Sequence, residues 1–455
     1  MNKRDTDLLD MLPALEDGSL MYTPISICRD MVNLIPDDVF NKDAKFLDIA
    51  CKSGRFLREI MYRLMESNQM QSGSAEGRDK KKYNLAIESE RKEYILREQL
   101  FGLSLNDTVV NIARRNLYGT LDSGIDNIIV LKENVRRTLK EKFGDMQFDV
   151  VVGNPPYNND LYLDFVTFGH NLARKYDCWI TPAKWQVKGG QKNEDFREDI
   201  VPYMSKIVYY PNTNEIFDIA LSGGVTYFCA DKSLHNKKDI CVRKNGEIIS
   251  KKNKEFVGTL DLTDVEDSIL NKIRGLGETT VDKSDNDKFI LKMSYICIKY
   301  NGTTHTNIGV LHNIEKQGTG IYFKDSKYYI EIDPLYLTRP KEIGKWHLVT
   351  SVWLNNTIGT LKLGVNEVST DNNVTIYSTS DKNEIESVES YFNCKLIWWL
   401  IYRMHVGGNV NLKAFEFVPD PGAFDHIFTD EELYKKYNLS EDEINIIESI
   451  IKNRK

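Results

Sequence analysis

Positive charge is what this 455-residue chain has too little of: 60 lysines and arginines face 67 aspartates and glutamates, a net charge of −7 at neutral pH. A chain of that balance cannot bind a polyanion through its overall charge, so any grip on phosphates must come from a local concentration of lysine. Cysteine is scarce too. The seven are scattered with no Cys-x-x-Cys pair, which argues against a structural zinc site and for buried packing in a reducing compartment. The most apolar stretch, Leu396-Ile397-Trp398-Trp399-Leu400-Ile401, is too short to cross a bilayer and reads as a buried helix. No basic-then-apolar leader opens the sequence and no internal repeat runs through it, so the expectation is a cytoplasmic protein with no membrane partner. Hydrophobic residues make up 41% of the chain, enough for the cores of two or three domains.

The most informative segment is Phe148-Asp149-Val150-Val151-Val152-Gly153-Asn154-Pro155-Pro156-Tyr157. An apolar strand runs into two prolines that give no N–H to a ladder and hold φ near −65°, so the sheet must stop there. The stop projects two acceptors past the strand end, the Asn154 side chain and a main-chain carbonyl, assigned to Pro155. Such a pair suits the amino group of a planar nitrogen such as N6 of adenine. Accepting both of its protons favours the more tetrahedral, developing cation that forms as the nitrogen attacks a methyl group. Tyr157 adds a flat face for stacking a base.

Upstream, Phe46-Leu47-Asp48-Ile49-Ala50-Cys51-Lys52-Ser53-Gly54-Arg55 reads as a short buried strand, a tight turn and a helix start. In a doubly wound sheet that is where a nucleoside cofactor sits. Asp48 at the strand end would hold a cofactor ammonium group, and Gly54 allows close backbone approach. Earlier still, Tyr22-Thr23-Pro24 precedes an amphipathic stretch, with Thr23 expected as N-cap and Pro24 at the first helical position.

In this order, the motifs resemble the gamma class of N6-adenine DNA methyltransferases found in restriction-modification systems. The resemblance implies an α/β fold: a Rossmann-like domain that binds S-adenosyl-L-methionine, over residues 21–232, followed by an α+β target-recognition domain over 233–425. Residues 1–20 are then a lead-in and 426–455 a C-terminal helical segment. It further implies Asn154, Pro155, Pro156 and Tyr157 as the catalytic turn, and Tyr22, Thr23, Pro24, Asp48, Ala50, Cys51, Ser53 and Gly54 as cofactor contacts, with no metal. Double-stranded DNA is the expected partner, and any restriction endonuclease is expected on a separate chain. Three departures stand out. Ile49 and Lys52 replace the family's usual proline and first glycine, and Ser104 stands where a carboxylate normally takes the ribose hydroxyls. Asn106 or Asp107 would have to compensate, and the adenine contact falls to Glu133 or Asn134.

Beyond the motifs, Ser72–Gly77 with Lys80–Lys82 reads as a loop feeding a charged helix from Glu88 to Gln99. Residues 232–254 concentrate lysine, either to meet phosphates or as a solvated hairpin. The acidic clusters at 430–432 and 441–443 are expected to open short helices facing water. Phe415–Pro419 reads as a strand. Two rivals use the same chemistry, glutamine methyltransferases and ribosomal RNA methyltransferases, and a third is a non-catalytic DNA-binding subunit that keeps the fold.

Overall fold

The computed structural model describes residues 22–454 apart from 132–133, 188, 218–220, 222, 236–239, 246, 253–258, 275–278, 281–287, 294–308, 314–320, 325–327, 333–336, 338, 370–371, 407–409 and 411. The lead-in expected over 1–20 lies outside the described residues, as does Glu133. The chain forms two compact units: Met1–Trp185 with Gly190–Val257, and Gln186–Gly189 with Gly258–Lys455.

In the first unit the strands are β1 (Phe46–Asp48), β2 (Ser74–Glu76), β3 (Lys82–Asn84), β4 (Leu100–Ser104), β5 (Ile128–Val130), β6 (Phe148–Gly153), β7 (Ala173–Pro182), β8 (Met204–Tyr210), β9 (Val225–Asp231), β10 (Ile240–Lys244) and β11 (Glu247–Lys252). The helices are α1 (Ile25–Leu34), α2 (Arg55–Glu66), α3 (Glu88–Tyr94), α4 (Asp107–Tyr118), α5 (Val135–Phe143), α6 (Leu161–Leu172) and α7 (Gln191–Asp199). Nine strands make one sheet in the order β11-β10-β8-β9-β7-β6-β1-β4-β5. β1 pairs in parallel with β4 on one side and β6 on the other, so the chain moves outward through β4 and β5 and then returns to β1's free edge. That return is the switch point at which α/β sheets open a crevice beyond their carboxyl ends. The strands beside it are covered on both faces, which is why β6, with its Val150-Val151-Val152 run, is buried at all six positions.

The expected α/β domain is present, but its boundary is not at 232. β10 pairs with β8 and β11 with β10, so the lysine-rich segment completes the first sheet and the unit runs to Val257. The segment read as a loop at 72–82 contains the β2–β3 hairpin, and the charged helix passes from α3 into a π-type turn, Ile95–Gln99, that leads straight into β4.

The second unit holds two four-stranded sheets. One pairs 289–293, 373–379, 346–351 and 360–363 in that order, and the other pairs 309–313, 328–332, 321–324 and 367–368. The helix Lys395–Arg403 is buried along Leu396–Ile401, as its apolar run predicts. Phe415–Pro419 is not a strand: Leu412–Phe415 is a 3-10 turn whose Phe415 carbonyl accepts from the Val418 amide, and Pro419 makes a single bridge to Thr279. The helices Asp430–Lys436 and Glu441–Ile450 belong to this unit rather than to a separate segment. Their acidic starts do not all face water. Glu443 is buried against Lys272 and Ser268, and Asp430 accepts from the Lys395 amide. Cys28, Cys51, Cys178, Cys229 and Cys394 are buried free thiols and Cys241 is half-buried. Among the described residues no helix is long and apolar enough to cross a membrane.

Beneath the end of β6, the Trp179 ring is clamped between two glycines. A Cβ at Gly153 would lie 3.1 Å from Trp179 Cζ3, and one at Gly169 would lie 2.3 Å from Cζ2. Trp179 Nε1 donates to Asp177 Oδ2 at 2.7 Å, and the other Asp177 oxygen lies 2.8 Å from His170 Nδ1, all buried. The indole therefore cannot slide away from an added methyl group. Gly169→Ala is expected to lower stability by about 1–3 kcal/mol, the range for overpacking a filled core. An unchanged denaturant midpoint would show that the indole moves freely.

Candidate active site

Three separate stretches of chain meet at the carboxyl ends of β1 and β6. In the β1–β6 pairing Asp48 stands opposite Val152, two residues before Asn154. The loop after β1 turns at Gly54, whose φ of +79° is the left-handed region that glycine adopts without strain, and α2 starts at the next residue. The third stretch is Tyr22-Thr23-Pro24, leading into α1. Here the expected cap is displaced by one residue. Pro24 holds the cap position, with its carbonyl accepting from the Cys28 amide at 2.9 Å, so the Thr23 hydroxyl is not used to cap the helix.

That hydroxyl instead accepts from Asn154 Nδ2 at 3.0 Å, in a fully buried contact between residues 131 positions apart. Asn154 itself is 1% exposed. Its Oδ1 is buried without a hydrogen-bond partner among the described residues. A small cavity is lined by Tyr22, Thr23, Asp48, Ala50, Ser53, Gly54 and Asn154, together with Lys52 and Arg55. It thus gathers residues from all three motifs. Asp48 is 1% exposed and accepts from the Ala50 amide at 3.0 Å. Burial pushes its carboxyl pKa up to about 7, against the pull of that hydrogen bond and of Lys52. Lys52 is pushed down to about 8, again by burial first, with Asp48 opposing. A buried carboxylate held by one backbone N–H, beside a glycine turn and a desolvated lysine, suits a small ligand that carries both an ammonium group and a carboxylate.

The remaining sequence-derived residues are placed as follows. Pro155 is buried and Pro156 exposed, so the turn reaches the surface only after Pro155. Tyr157 is half-buried, its ring edge-on to Tyr162 at 6.5 Å between centroids. Burial raises its phenol pKa, which keeps the ring neutral. Cys51 does not line the cavity. Its side chain fills the space over Gly102, where a Cβ would sit 2.7 Å from Cys51 Sγ. Ser104, at the end of β4, donates from Oγ to the Cys51 carbonyl at 3.1 Å and so staples the loop. Of its neighbours, Asn106 caps α4 by accepting from the Val109 amide, and Asp107 lies exposed in that helix's first turn. Asn134 is exposed and caps α5 by accepting from the Arg137 amide.

Sequence reasoning missed Arg55. Its Nη1 donates to the Thr23 carbonyl at 2.8 Å, and its guanidinium lies 5.8 Å from the Tyr22 ring centroid, joining the first motif to the start of α2. The available signal was an arginine directly after the turn glycine. Gly102 was missed as well, because a glycine inside a strand shows its purpose only once the chain that crosses it is known.

Residues 98–217 match the Eco57I restriction-modification methylase family. A Mycoplasma pneumoniae protein described as an uncharacterized adenine-specific methylase is 24% identical, with 57% of this chain and 79% of that protein covered. A nuclease-deletion mutant of the Type ISP restriction-modification enzyme LlaGI, solved in complex with a DNA substrate mimic, gives a TM-score of 0.53 at 12% identity, covering 91% of this chain and 54% of that one. The ATP-dependent Type ISP enzyme LlaBIII bound to DNA gives 0.50 at 12% identity, covering 86% and 38%. This chain thus spans little more than half of the first and well under half of the second, and at that identity the likeness is one of fold. The family match takes in β4, β6 and the Asn154–Tyr157 turn, and over that stretch the chain is similar to restriction-modification methylases, as the order of its motifs leads one to expect.

Proposed function

We propose that this chain transfers the methyl group of S-adenosyl-L-methionine to N6 of an adenine flipped out of duplex DNA. The observation that carries the reading is Asn154 Oδ1, a buried acceptor with no partner among the described residues, beside the cavity that Asp48 and Gly54 line. Leaving such an atom unpaired costs about 1–3 kcal/mol, a cost that a substrate N–H would remove. S-adenosyl-L-methionine, when bound, supplies a methyl group already activated on a sulfonium. Asp48 holds the amino group of its methionine part, Lys52 faces its carboxylate, and the Gly54 turn lets the backbone lie against it. Asn154 Oδ1 and the Pro155 carbonyl take the two N6 protons, and Tyr157 stacks on the base. The second unit is assigned to target recognition, and the lysine-rich β10–β11 edge to phosphate contact. A partner nuclease on another chain fits the same reading.

Purified protein incubated with mixed-sequence duplex DNA and labelled S-adenosyl-L-methionine is expected to yield N6-methyladenine, confined to one short recurring motif. Label in protein or ribosomal RNA with DNA blank would move the assignment to one of the rivals, and label nowhere would point to a non-catalytic subunit. Asn154→Ala should cut turnover by roughly a hundredfold or more, by analogy with removing one preorganised transition-state contact, while cofactor binding persists. Full turnover in that variant would overturn the role given to the turn.

Asp48 gives a pH-dependent prediction. Its carboxyl has a pKa of about 7 in the fold and the ordinary 3.8 when unfolded, so between those values the folded state binds more protons. Stability contributed at this residue therefore falls as pH rises from about 4 to about 7 and stays low above. Asp48→Asn should be more stable than the parent protein at pH 8, with the gap closing towards pH 4, yet bind the cofactor more weakly. Denaturant melts at the two pH values and calorimetric titration with the cofactor check both. A variant less stable at pH 8 would show that the charge serves the fold rather than the ligand.

A further inference from the structure

The Asn154 carboxamide can be useful only if it is held still, because an amide free to turn presents its NH₂ to the substrate as readily as its oxygen. Its only hydrogen bond described in the structure runs from Nδ2 to Thr23 Oγ1 at 3.0 Å. Thr23 is itself fixed from two sides. Pro24 follows it with a rigid ring, and its carbonyl accepts from Arg55 Nη1 at 2.8 Å and from the Cys28 thiol at 3.7 Å. Arg55 opens α2 directly after the Gly54 turn, so the relay starts on the cofactor loop and ends on the catalytic turn. We propose that Thr23 is a positioning residue that acts through Asn154: its hydroxyl fixes the plane and place of the carboxamide, leaving Oδ1 as the end that meets the target amino group. This rests on the function proposed above and adds to it a task for the Thr-Pro motif that is separate from touching the cofactor. The displaced helix cap supports it, since the hydroxyl that would otherwise have capped α1 is spent on Asn154 instead.

Two measurements test the relay, one of which needs no turnover. In protein labelled with ¹⁵N at asparagine, the Asn154 side-chain amide signals are identified by their loss in Asn154→Ala. Their protons are expected to exchange slowly in the parent protein and in Thr23→Ser, and rapidly in Thr23→Val, which keeps the shape but lacks the hydroxyl. The second is a double-mutant cycle on kcat at saturating cofactor and DNA. Thr23→Val should lose about tenfold, the weight of one hydrogen bond, Thr23→Ser should recover most of it, and Thr23→Val should cost nothing further in the Asn154→Ala background. Additive losses, or a loss confined to cofactor affinity, would overturn the proposal, as would amide protons equally protected in Thr23→Val. Because exchange is read without a substrate, Thr23-dependent protection in a protein that methylates nothing would uphold the relay and sink only the assigned reaction. Should Thr23→Val fail to fold, Thr23→Ser in the cycle and Arg55→Gln in exchange decide the matter: loss of the carbonyl anchor should also speed exchange, and no change would count against the relay.

Discussion

Parallel pairing of β6 against β1 is the constraint on which this molecule's chemistry depends. The two strands are a hundred residues apart in the chain, yet their register sets Asp48 level with Val152 and so fixes how far the Asn154 turn stands from the cofactor loop. Nothing local could do this. The Gly54 turn and the double proline each shape their own few residues, and only the ladder between the strands brings them to one wall. The clamp of Gly153 and Gly169 on Trp179 then sets the height of the β6 end against its neighbour β7.

The same wall is costly to the fold. A carboxylate with its pKa driven up by burial and an amide oxygen with no partner among the described residues are both groups that a structure selected for stability alone would replace. Asp48 and Asn154 line the same small cavity, where bound ligands can satisfy both. A site of this kind stores its binding energy as unmet demand in the empty protein, and the surrounding core, with β6 buried at every position, is what makes that demand tolerable.

Much of this is legible in the sequence, for physical reasons. Two prolines cannot sit in a ladder, so the end of β6 and the placing of its last acceptors beyond the ladder follow from residues 148–157 alone. The strand-turn-helix after Phe46 is equally local. What cannot be read depends on distant partners. Thr23 reads as a helix cap because nothing in its neighbours reveals that Asn154 will claim its hydroxyl. Gly102 reads as incidental until Cys51 is seen to cross it. The expected domain boundary falls too early because the residues of a lysine-rich hairpin do not show which sheet it joins until β8 is known to pair with it, and Phe415–Pro419 alternates like a strand while its backbone closes a turn.

The order of the sheet also dictates when the site comes into being as the chain is made. β1, β4 and β5 emerge first and can pair among themselves, leaving the other edge of β1 open, with its row of backbone donors and acceptors exposed to any extended chain nearby. β6 fills that edge only after the intervening residues have been synthesised, a long loop to close and a slow step for a parallel strand. The strand that seals this aggregation-prone edge is also the one that carries the Asn-Pro-Pro-Tyr turn at its tip. Completion of the central sheet and delivery of the catalytic turn are therefore a single folding event, and an intermediate with the cofactor loop in place but the turn undocked is also the one with the open edge.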